Sequence, residues 1–446
     1  MNANSFRNPA FNSPALVSNT DHDSLLSASI FYDNSKSLDK ENLTITPKCN
    51  SFFGQSFFRK KFNAAFDQIK NGYLIVDDSF GRQCFGDINS DLKCHITIKK
   101  QDTYKQLALA GSNGSAEAYI EGHWCCDNPS NLVRILLRNR DLLDSMETGL
   151  ARAAQFLYQA WHQFNRNSKS GSKKNIAAHY DLGNDFFALI LDKRMMYSSA
   201  LYEKNDNLDD ASNRKLQRIC DELKISEQDT VIEIGSGWGG FACYAAKNTG
   251  CKITTITISQ EQFSAATEQV YKQNLQHLVT VKLIDYRDID GQFDKLVSIE
   301  MIEAVGHQYV DQYFKKINQL LKPNGQAMLQ AIVIDDDRYE QALKEVDYIK
   351  RFIFPGSFIP CYSLIQSVAK NNNLYLDDQF DMGSSYAQTL RDWRQQFYKK
   401  IQEVEQLGYD DHFQRMWEFY LCYCEGGFEE RAISVGQIRF TKSENV

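Results

Sequence analysis

The sequence lacks any long apolar run. It contains no stretch of about 18 consecutive apolar residues, the minimum for a membrane-spanning helix. Its first residues also lack the basic and then apolar pattern of a secretory signal peptide. We therefore expect a cytoplasmic protein whose contact with a membrane would be peripheral.

Cysteine patterns that bind metals are also missing. The chain has 11 cysteines but no CxxC pair. Cys125 with Cys126, like Cys422 with Cys424, stands too close to its neighbour for a zinc quartet. An odd number of cysteines without a repeating framework indicates the reduced thiols of a cytoplasmic protein. The sequence predicts no metal site.

The chain has fewer basic than acidic residues. The formal net charge of -7 argues against nucleic acid as the main partner, because phosphate binding favours a basic surface. The fractions of 43% hydrophobic and 24% charged residues are typical of a soluble globular protein. A chain of 446 residues exceeds one ordinary core, so two domains are expected.

Composition and periodicity divide the chain into four segments. Residues 1–50 are rich in Asn, Ser and Asp, and predict a mostly disordered leader. Residues 51–145 combine helical spacing with the strand patterns YLIVDD and CHITIKK, and predict a small α+β domain. Residues 146–175 predict an amphipathic helix and a basic linker. Residues 176–446 form the second domain.

The linker concentrates positive charge at Arg166, Lys169, Lys173 and Lys174, with no acidic residue between them. One interpretation is a solvated connection between domains. The other is a surface that attracts anionic lipid headgroups, where each basic residue would contribute about 1 kcal/mol. The second interpretation would bring the protein transiently to the inner membrane surface.

The second domain alternates strands with helices. The strand patterns are TVIEIG, CKITTITIS, VTVKLID, KLVSIE, QAMLQAIVI, LYLDDQF and ISVGQIRF, and helical patterns occupy residues 239–248, 260–274 and 309–321. This order predicts a doubly wound, mostly parallel, Rossmann-like α/β sheet of seven strands, with its ligand at the carboxyl ends of the strands. An aromatic-rich helical insertion follows the fifth strand. Periodicity does not decide whether it roofs the pocket, fills the core or makes a dimer contact.

A glycine turn follows the first strand of this sheet. Gly235, Gly237 and Gly240 have the spacing of a nucleotide-binding turn. A dinucleotide site would place an acid at the end of the second strand, about 20 residues further on. The neutral Thr257 and Gln262 stand there instead, which weakens the dinucleotide interpretation.

The residues around the turn suit a cationic ligand. Glu233 precedes the first glycine by two positions, and Trp238 lies within the turn. An aromatic face attracts a nearby cation by roughly 0.5–2 kcal/mol. S-Adenosylmethionine carries a sulfonium charge, so the sequence favours this cofactor.

Longer segments resemble those of the cyclopropane-fatty-acyl-phospholipid synthases, a family of S-adenosylmethionine-dependent class I methyltransferases. In chain order they are AAHYDLGNDFFALILDKRMMYSSALY, VIEIGSGWGGFACYAA, ITISQEQ, DYRDIDGQFDKLVSIEMIEAVGH, RFIFPGSFIP and YAQTLRDWRQQF. The resemblance is continuous from about residue 175 to the C-terminus and weaker in GSNGSAEAYIEGHW of the first domain. It implies that the double bond of an unsaturated phospholipid acyl chain attacks the activated methyl group. A carbocation forms, and proton loss closes a cyclopropane ring.

The resemblance also implies two cofactors, S-adenosylmethionine and a bicarbonate ion that serves as the base. A carbocation requires a dry pocket and a base held near the methyl group. The positions assigned to the methyl donor include the acid and the residues of the turn, namely Glu233, Gly235, Gly237, Trp238 and Gly239. The others are Tyr197, Ser198, Thr257, Gln262, Tyr286 and Arg287.

The resemblance carries over the bicarbonate site as well. Glu303 matches the glutamate that binds bicarbonate, Tyr386 matches its tyrosine partner, and Ile332 matches a backbone amide donor. Cys424 matches a cysteine often named as an active-site residue, but we expect it to support packing because no acid or base pattern flanks it. We expect His307 to structure its loop.

Three positions depart from the common residues of the family. Ser199 replaces a frequent Cys, at a position that mainly offers its backbone amide to the anion. Gln330 replaces a His found in some members, and glutamine cannot become cationic. Ser385 replaces a frequent His. These changes leave methyl transfer expected but open the product to a ring, a methyl branch or a methylene group.

Two other functions stay open, namely methylation of a soluble small molecule and non-catalytic lipid binding by a homologue that has lost its anion site. The retained Glu303, Tyr386 and glycine turn favour an enzyme. The expected partners are an anionic phospholipid surface and, through the insertion or the first domain, a second copy of the chain.

Overall fold

A computed structural model describes residues 52–141, residue 167 and residues 182–444. The predicted leader and the four basic residues of the predicted linker lie outside the described residues, as does the domain boundary expected near residue 145. Within the described ranges, no helix combines the length and the apolar character needed to cross a membrane.

A four-stranded sheet and its helices make up the first described region. The elements are α1 (Phe52–Phe66), β1 (Tyr73–Asp78), β2 (Gly81–Gly86), β3 (Lys93–Ile98), α2 (Asp102–Ile120), β4 (Trp124–Cys126) and α3 (Pro129–Arg138). The sheet order is β2-β1-β3-β4, with β1 parallel to β3 and the other pairs antiparallel. Alternate residues such as Leu74 and Val76 of β1 are buried, as expected for a strand with one face on a core.

Two of these strands were not indicated by the sequence. SFGRQ predicts a turn, but the turn is confined to residues 79–80, and the chain returns from Gly81 (φ 114°) to pair with β1. Phe85 is the one buried residue of β2, so the alternating apolar pattern is missing. AEAYIEGHW predicts a helix, but α2 ends at Ile120 and Trp124 begins β4.

A seven-stranded sheet forms the second region, as predicted. Its strands are β5 (Thr230–Ile234), β6 (Lys252–Thr257), β7 (Val279–Leu283), β8 (Phe293–Ile299), β9 (Leu321–Ile334), β10 (Leu374–Asp381) and β11 (Ile433–Lys442). The order is β10-β11-β9-β8-β5-β6-β7, and β11 alone is antiparallel to its neighbours. Strands such as β5 are buried on both faces, which explains their nearly continuous apolar sequence.

Helices precede, connect and follow these strands. They are α4 (Gly183–Ile190), α5 (Leu208–Glu222), α6 (Gly240–Thr249), α7 (Gln260–Lys272), α8 (Val310–Leu320), α9 (Asp336–Lys344), α10 (Tyr362–Asn371), α11 (Gly383–Lys399), α12 (Ile401–Gln406) and α13 (Asp411–Glu429). The helices α6, α7 and α8 match the predicted helical segments within two residues at each end. The result is the doubly wound α/β architecture expected from the alternation.

The insertion after β9 contains α9 and a short π-helix, Ile349–Ile353. Its residues Ile349, Phe354 and Phe358 line the large cavity beside the sheet, and Tyr348 is buried against Phe419 of α13. Of the interpretations left open by the sequence, the structure therefore supports a roof that is also part of the core.

Helix α13 packs against residues of the first region as well as the second. Trp417 of this helix is buried in the core cluster that also contains residues of the first region. The Tyr119 hydroxyl of α2 donates to Glu418 at 2.9 Å, and Arg134 of α3 pairs with Glu430 at 2.8 Å. The first region is thereby held as one wall of the cavity.

Candidate active site

The glycine turn between β5 and α6 has a backbone that only glycine adopts readily. Gly235 (φ 96°) and Gly239 (φ 89°) both have left-handed conformations. The amides of Gly235 and Ser236 donate to the Ile256 carbonyl of the neighbouring strand at 3.0 and 2.9 Å. A Cβ atom at Gly239 would lie 3.2 Å from Ala266. The turn is thus pulled tightly against β6, and its open side faces the cavity.

The space in front of the turn fits a ligand. Gly237 has a φ of 47° and lines the cavity, and a Cβ atom built there would meet no atom within 4 Å. Trp238 lines the same cavity, and its indole N–H donates to Asn184 at 2.6 Å. Backbone and an aromatic face therefore surround an open volume at the carboxyl end of β5.

Glu233 faces this volume from within the sheet. Its side chain is 2% exposed and accepts a hydrogen bond from Thr255 Oγ1 at 2.5 Å. Burial raises the pKa of Glu233 to about 8. A cation bound beside the carboxyl group would lower that pKa again, because an opposite charge favours the ionised form.

The predicted polar residues after β6, Thr257 and Gln262, line the cavity. The Thr257 hydroxyl donates to Gln262 Oε1 at 2.9 Å. The backbone N–H of Gln262 donates to Ser259 Oγ at 3.2 Å, so that Ser259 caps α7. The Gln262 carbonyl oxygen is thereby engaged, so its NH2 group is the end that can donate to a ligand.

The segment after β7 brings Tyr286 and Arg287 to the cavity, together with a residue that the sequence did not single out. The Arg287 guanidinium donates two hydrogen bonds, of 2.8 and 2.6 Å, to the Asp285 carboxylate. The ring of Tyr286 packs edge-on against Tyr313, and burial raises its pKa to about 12. Arg287 therefore fixes Asp285, and the neutral ring of Tyr286 offers an apolar face.

Tyr197 and Ser198 approach from the loop that follows α4. The hydroxyl groups of Tyr197 and Tyr420 lie 2.9 Å apart, and the Tyr197 ring stacks on Trp393. Ser198 Oγ accepts a hydrogen bond of 2.6 Å from Lys215, which is fully buried on α5. Burial lowers the pKa of Lys215 to about 8, although Glu300 opposes the effect.

Glu300 is the centre of the other half of the site. Its Oε1 accepts the backbone N–H of Ser199 at 2.8 Å and the Gln330 amide at 2.8 Å, and its Oε2 accepts the Tyr386 hydroxyl at 2.7 Å. These are three of the donors that the resemblance assigns to bicarbonate. The structure brings them together as the sequence predicts, but around a carboxylate of the chain itself.

Glu303 lies beside this cluster and is bound differently. Its Oε1, and not an added anion, accepts the Ile332 backbone N–H at 2.6 Å, while its Oε2 is buried and accepts no hydrogen bond from the described residues. Burial, and next the charge of Glu300, raises the pKa of Glu303 to about 8. Both glutamates line the cavity.

A chain of amides fixes the orientation of Gln330. The Gln437 NH2 group donates to Gln330 Oε1 at 3.1 Å, and Gln437 Oε1 accepts from Arg218 at 3.0 Å. The NH2 group of Gln330 must therefore point to Glu300. Gln437 and Gln330 are almost fully buried, so this polar chain is satisfied within the protein.

The remaining predicted residues have supporting places. Cys424 lines the cavity, and burial raises the pKa of its thiol well above the ordinary range, which fits packing rather than a reactive thiolate. Ser385 Oγ accepts the Tyr202 amide at 3.0 Å. His307 is exposed and does not line the cavity, in agreement with a role in its loop.

One cavity of about 1000 Å³ joins both halves of the site. At the polar end it is bounded by the glycine turn and the two glutamates. Away from them its walls are mainly apolar and come from α1, β3, α2, β4, α3 and α13. The apolar lining residues include Phe62, Phe66, Ile98, Trp124, Leu132, Leu136, Phe419 and Tyr423. Its shape and lining suit a long apolar ligand that presents one reactive point to the polar end.

Sequence reasoning missed Glu300, Lys215 and Asp285. Glu300 stands at the carboxyl end of β8, three positions before Glu303, and a second acid at that edge was the available signal. Lys215 gave no signal, because a lone lysine in a helical segment is usually solvated.

Comparison with known families identifies the arrangement. The family described as mycolic acid cyclopropane synthetase matches residues 167–438. Two curated proteins are similar over most of the chain. The cyclopropane-fatty-acyl-phospholipid synthase of Escherichia coli K12 is 33% identical over 381 residues, covering 83% of this chain and 94% of that protein. The tuberculostearic acid methyltransferase UfaA1 of Mycobacterium tuberculosis is 34% identical over 343 residues, covering 75% of this chain and 79% of that protein.

A solved structure gives the same result for the fold. The mycolic acid cyclopropane synthase CmaA1, complexed with SAH and CTAB, superposes with a TM-score of 0.57 at 26% identity, covering 60% of this chain and 98% of that chain.

Proposed function

Because the chain belongs to the mycolic acid cyclopropane synthetase family and is an S-adenosylmethionine-dependent methyltransferase, we propose that it converts a double bond of an unsaturated phospholipid acyl chain into a cyclopropane ring. The observation that carries the proposal is the single cavity that joins the glycine turn and the carboxylates to a long apolar chamber. A soluble, polar substrate would leave that chamber without a function.

The residues present fit S-adenosylmethionine, which supplies an activated methyl group when bound. The open space at Gly237 would admit its methionyl part, and the buried Glu233 would compensate its positive charge. The NH2 group of Gln262 would hold a ribose hydroxyl, and Tyr286 would cover the adenine.

The apolar walls would exclude water from the reaction. A carbocation on the acyl chain would be quenched by water, so a dry chamber protects it. The rings of Tyr197, Tyr386 and Tyr420 line the cavity at its polar end, and an aromatic face stabilises a nearby cation by roughly 0.5–2 kcal/mol.

Bicarbonate, the base expected from the resemblance, does not fit this site. Ser199, Gln330 and Tyr386 already donate to Glu300, and Ile332 donates to Glu303. A further anion would face two carboxyl groups and would lack these donors. No step of the reaction is therefore assigned to bicarbonate.

Access to phospholipid would be peripheral. The basic residues Arg166, Lys169, Lys173 and Lys174 support docking on an anionic bilayer surface. Co-sedimentation with anionic vesicles should fall as salt is raised, because ionic screening weakens headgroup attraction. Sedimentation that is equal at low and high salt would reject this mode of docking.

The reaction is tested with purified protein, methyl-labelled S-adenosylmethionine and vesicles of unsaturated phospholipid. We expect label in the acyl chains and a mass increase of one CH2 group per modified chain. A lipid fraction without label would reject the proposal, and label transferred to a soluble acceptor instead would favour a small-molecule methyltransferase.

A non-ring product is the second candidate. The similarity to a tuberculostearic acid methyltransferase favours it, as does the altered base region around Gln330. A ring and a methylene branch have the same mass, but the methylene product keeps a double bond. Catalytic hydrogenation of the labelled lipid therefore separates them, because it changes the mass of the methylene product.

A further inference from the structure

Glu300 accepts the hydrogen bonds that the resemblance reserves for bicarbonate, at 2.8, 2.8 and 2.7 Å. We propose that the Glu300 carboxylate itself is the base that removes the proton from the transferred methyl group, so that this chain works without an added anion. The proposal rests on the proposed lipid methylation and specifies its base.

The Glu300 side chain resembles bicarbonate in its chemistry. A carboxylate, like bicarbonate, is a planar monoanion that presents two oxygens to N–H and O–H donors. Its Oε1 is held by two donors, whereas Oε2 accepts only the Tyr386 hydroxyl among the described residues. Each carboxylate oxygen offers about two lone-pair positions, so Oε2 retains one that can accept a proton. Glu300 also lines the cavity in which the substrate would lie.

The charges around Glu300 also disfavour a further anion. A bicarbonate ion would bring one more negative charge to a region that contains Glu300 and Glu303. The cation that acts electrostatically on Glu300 is Lys215, and Gln330 cannot become cationic. One buried lysine balances one carboxylate, so the charges close with Glu300 ionised and no further anion bound.

The backbone at Glu300 has an unusual conformation. Glu300 has a φ of 48°, a left-handed conformation that is costly for a residue with a side chain. It is held there by its amide, which donates to the Gln330 carbonyl at 2.7 Å. Such strain persists where surrounding structure imposes it, commonly at functional sites. Here the conformation delivers the side chain to the three donors.

Glu300 and Glu303 differ in how strongly their surroundings stabilise the ionised carboxylate. Burial raises the pKa of both groups, and that of Glu303 to about 8. Glu300 accepts three hydrogen bonds and is stabilised by Lys215, whereas Glu303 accepts one and has a buried oxygen without a partner among the described residues. The hydrogen bonds therefore favour the ionised form at Glu300 and the protonated form at Glu303.

The proton balance of the step is complete. The π electron pair of the acyl chain forms a bond to the methyl carbon as the C–S bond breaks, and the sulfur keeps the electron pair of that bond. A C–H bond of the new methyl group then breaks, its proton goes to Glu300 Oε2, and its electron pair closes the ring. Glu300 returns the proton to solvent before the next turnover.

The test compares the full-length enzyme with Glu300→Gln and Glu300→Gly, in buffer freed of bicarbonate and in buffer with it. The wild-type rate should not depend on bicarbonate. Glu300→Gln keeps the size of the side chain but cannot take the proton, so label transfer should fall by about 10²–10⁴-fold, the usual contribution of a general base. Bicarbonate should not restore this variant, because the amide still fills the site.

Glu300→Gly empties the site and relieves the left-handed backbone. Its low rate should rise with sodium bicarbonate but not with sodium chloride of equal ionic strength. Glu425→Gln is the matched control, since Glu425 is a buried, ion-paired glutamate that does not line the cavity. It should leave the rate and the lack of a bicarbonate response unchanged.

Melting temperature and calorimetric binding of S-adenosylhomocysteine show that each variant is folded. A wild-type enzyme that requires bicarbonate, or a Glu300→Gln variant with nearly full activity, would overturn the assignment while leaving lipid methylation intact. Wild-type protein that transfers no label to lipid under either condition would reject lipid methylation, and the assigned base with it.

Discussion

The two ends of the cavity are built in different ways. At the cofactor end, the glycine turn and Glu233 lie within a few residues of one another, and the backbone of the turn shapes the space in front of it. At the carboxylate end, defined by Glu300 and Glu303, side chains and backbone amides from four distant segments meet. Glu300 binds Ser199 and Tyr386, which are 101 and 86 positions away. A motif predicts the first kind of site well and the second kind poorly.

The largest effect expected after that of Glu300 comes from Tyr386→Phe at the carboxylate end. The change removes the hydrogen bond of 2.7 Å to Glu300 and leaves the stacking of the ring on Phe428. A hydrogen bond to a charged group contributes about 1.5–3 kcal/mol, so label transfer should fall by roughly 10–150-fold. Initial rates at saturating substrate measure the loss.

Tyr119→Phe is the matched control for that change. Tyr119 is also buried and donates to a glutamate, Glu418, at 2.9 Å, but it does not line the cavity. It should lower the melting temperature without lowering the rate. Equal rate losses in the two variants would mean that Tyr386 acts only through stability.

At the cofactor end, Gly239→Ala should weaken cofactor binding without changing the chemistry. A side chain at φ 89° costs about 1–3 kcal/mol, and the new Cβ would press on Ala266 at 3.2 Å. We expect S-adenosylhomocysteine to bind about tenfold less tightly, with the rate at saturating cofactor nearly unchanged. Calorimetry and saturation kinetics separate the two quantities.

Gly81→Ala is the control, because it introduces similar backbone strain outside the glycine turn. Gly81 has a φ of 114° in the first region, and a Cβ atom there would meet nothing within 4 Å. Its stability should fall while cofactor affinity stays normal. A loss of affinity in Gly81→Ala as large as that in Gly239→Ala would contradict the local role of the turn.

Sequence reasoning predicted the seven-stranded, mostly parallel sheet and the glycine turn because both follow from local patterns. TVIEIG must form a buried strand, and glycine at 235 and 239 is required by the backbone of the turn. The family resemblance placed Ser199, Gln330 and Tyr386 around an added anion, whereas in the structure all three donate to Glu300. Sequence reasoning did not predict that the Glu300 carboxylate lies between them. The direction of this side chain depends on a left-handed backbone conformation that no local sequence pattern indicates. The strand β2 was missed for a related reason, since its pairing with β1 and not its own pattern makes it a strand.

A smaller effect is expected from Glu303→Gln. If Glu303 is protonated near neutral pH, glutamine resembles it in shape and charge, and its oxygen can keep the hydrogen bond from Ile332. The rate should fall by about tenfold at most, the value of one neutral hydrogen bond. The comparison with Glu300→Gln decides the assignment, because a larger loss in Glu303→Gln would make Glu303 the base.

The smallest expected effect is on the pH dependence of the free energy of unfolding, to which carboxyl groups at both ends of the cavity contribute. Burial raises the pKa of Glu233 and of Glu303 to about 8 in the folded protein. A carboxyl group with a raised pKa binds its proton more tightly in the folded state. Its stabilising contribution is therefore complete below the pKa of the unfolded chain and is lost as pH rises toward about 8. The urea midpoint of the wild-type protein should thus decline between roughly pH 5 and pH 8.

Glutamine at either position removes the titrating group, so Glu233→Gln and Glu303→Gln should each flatten that decline. Glu233 and Glu303 differ in their second influence. A hydrogen bond from Thr255 lowers the pKa of Glu233, whereas the charge of Glu300 raises that of Glu303. Adding Glu300→Gln should therefore change the pH dependence that Glu303 contributes and leave that of Glu233 intact. Slopes that are identical in the wild type and both single variants would show that neither carboxyl group is protonated in the folded protein, and the distinction between an ionised Glu300 and a neutral Glu303 would fail with it.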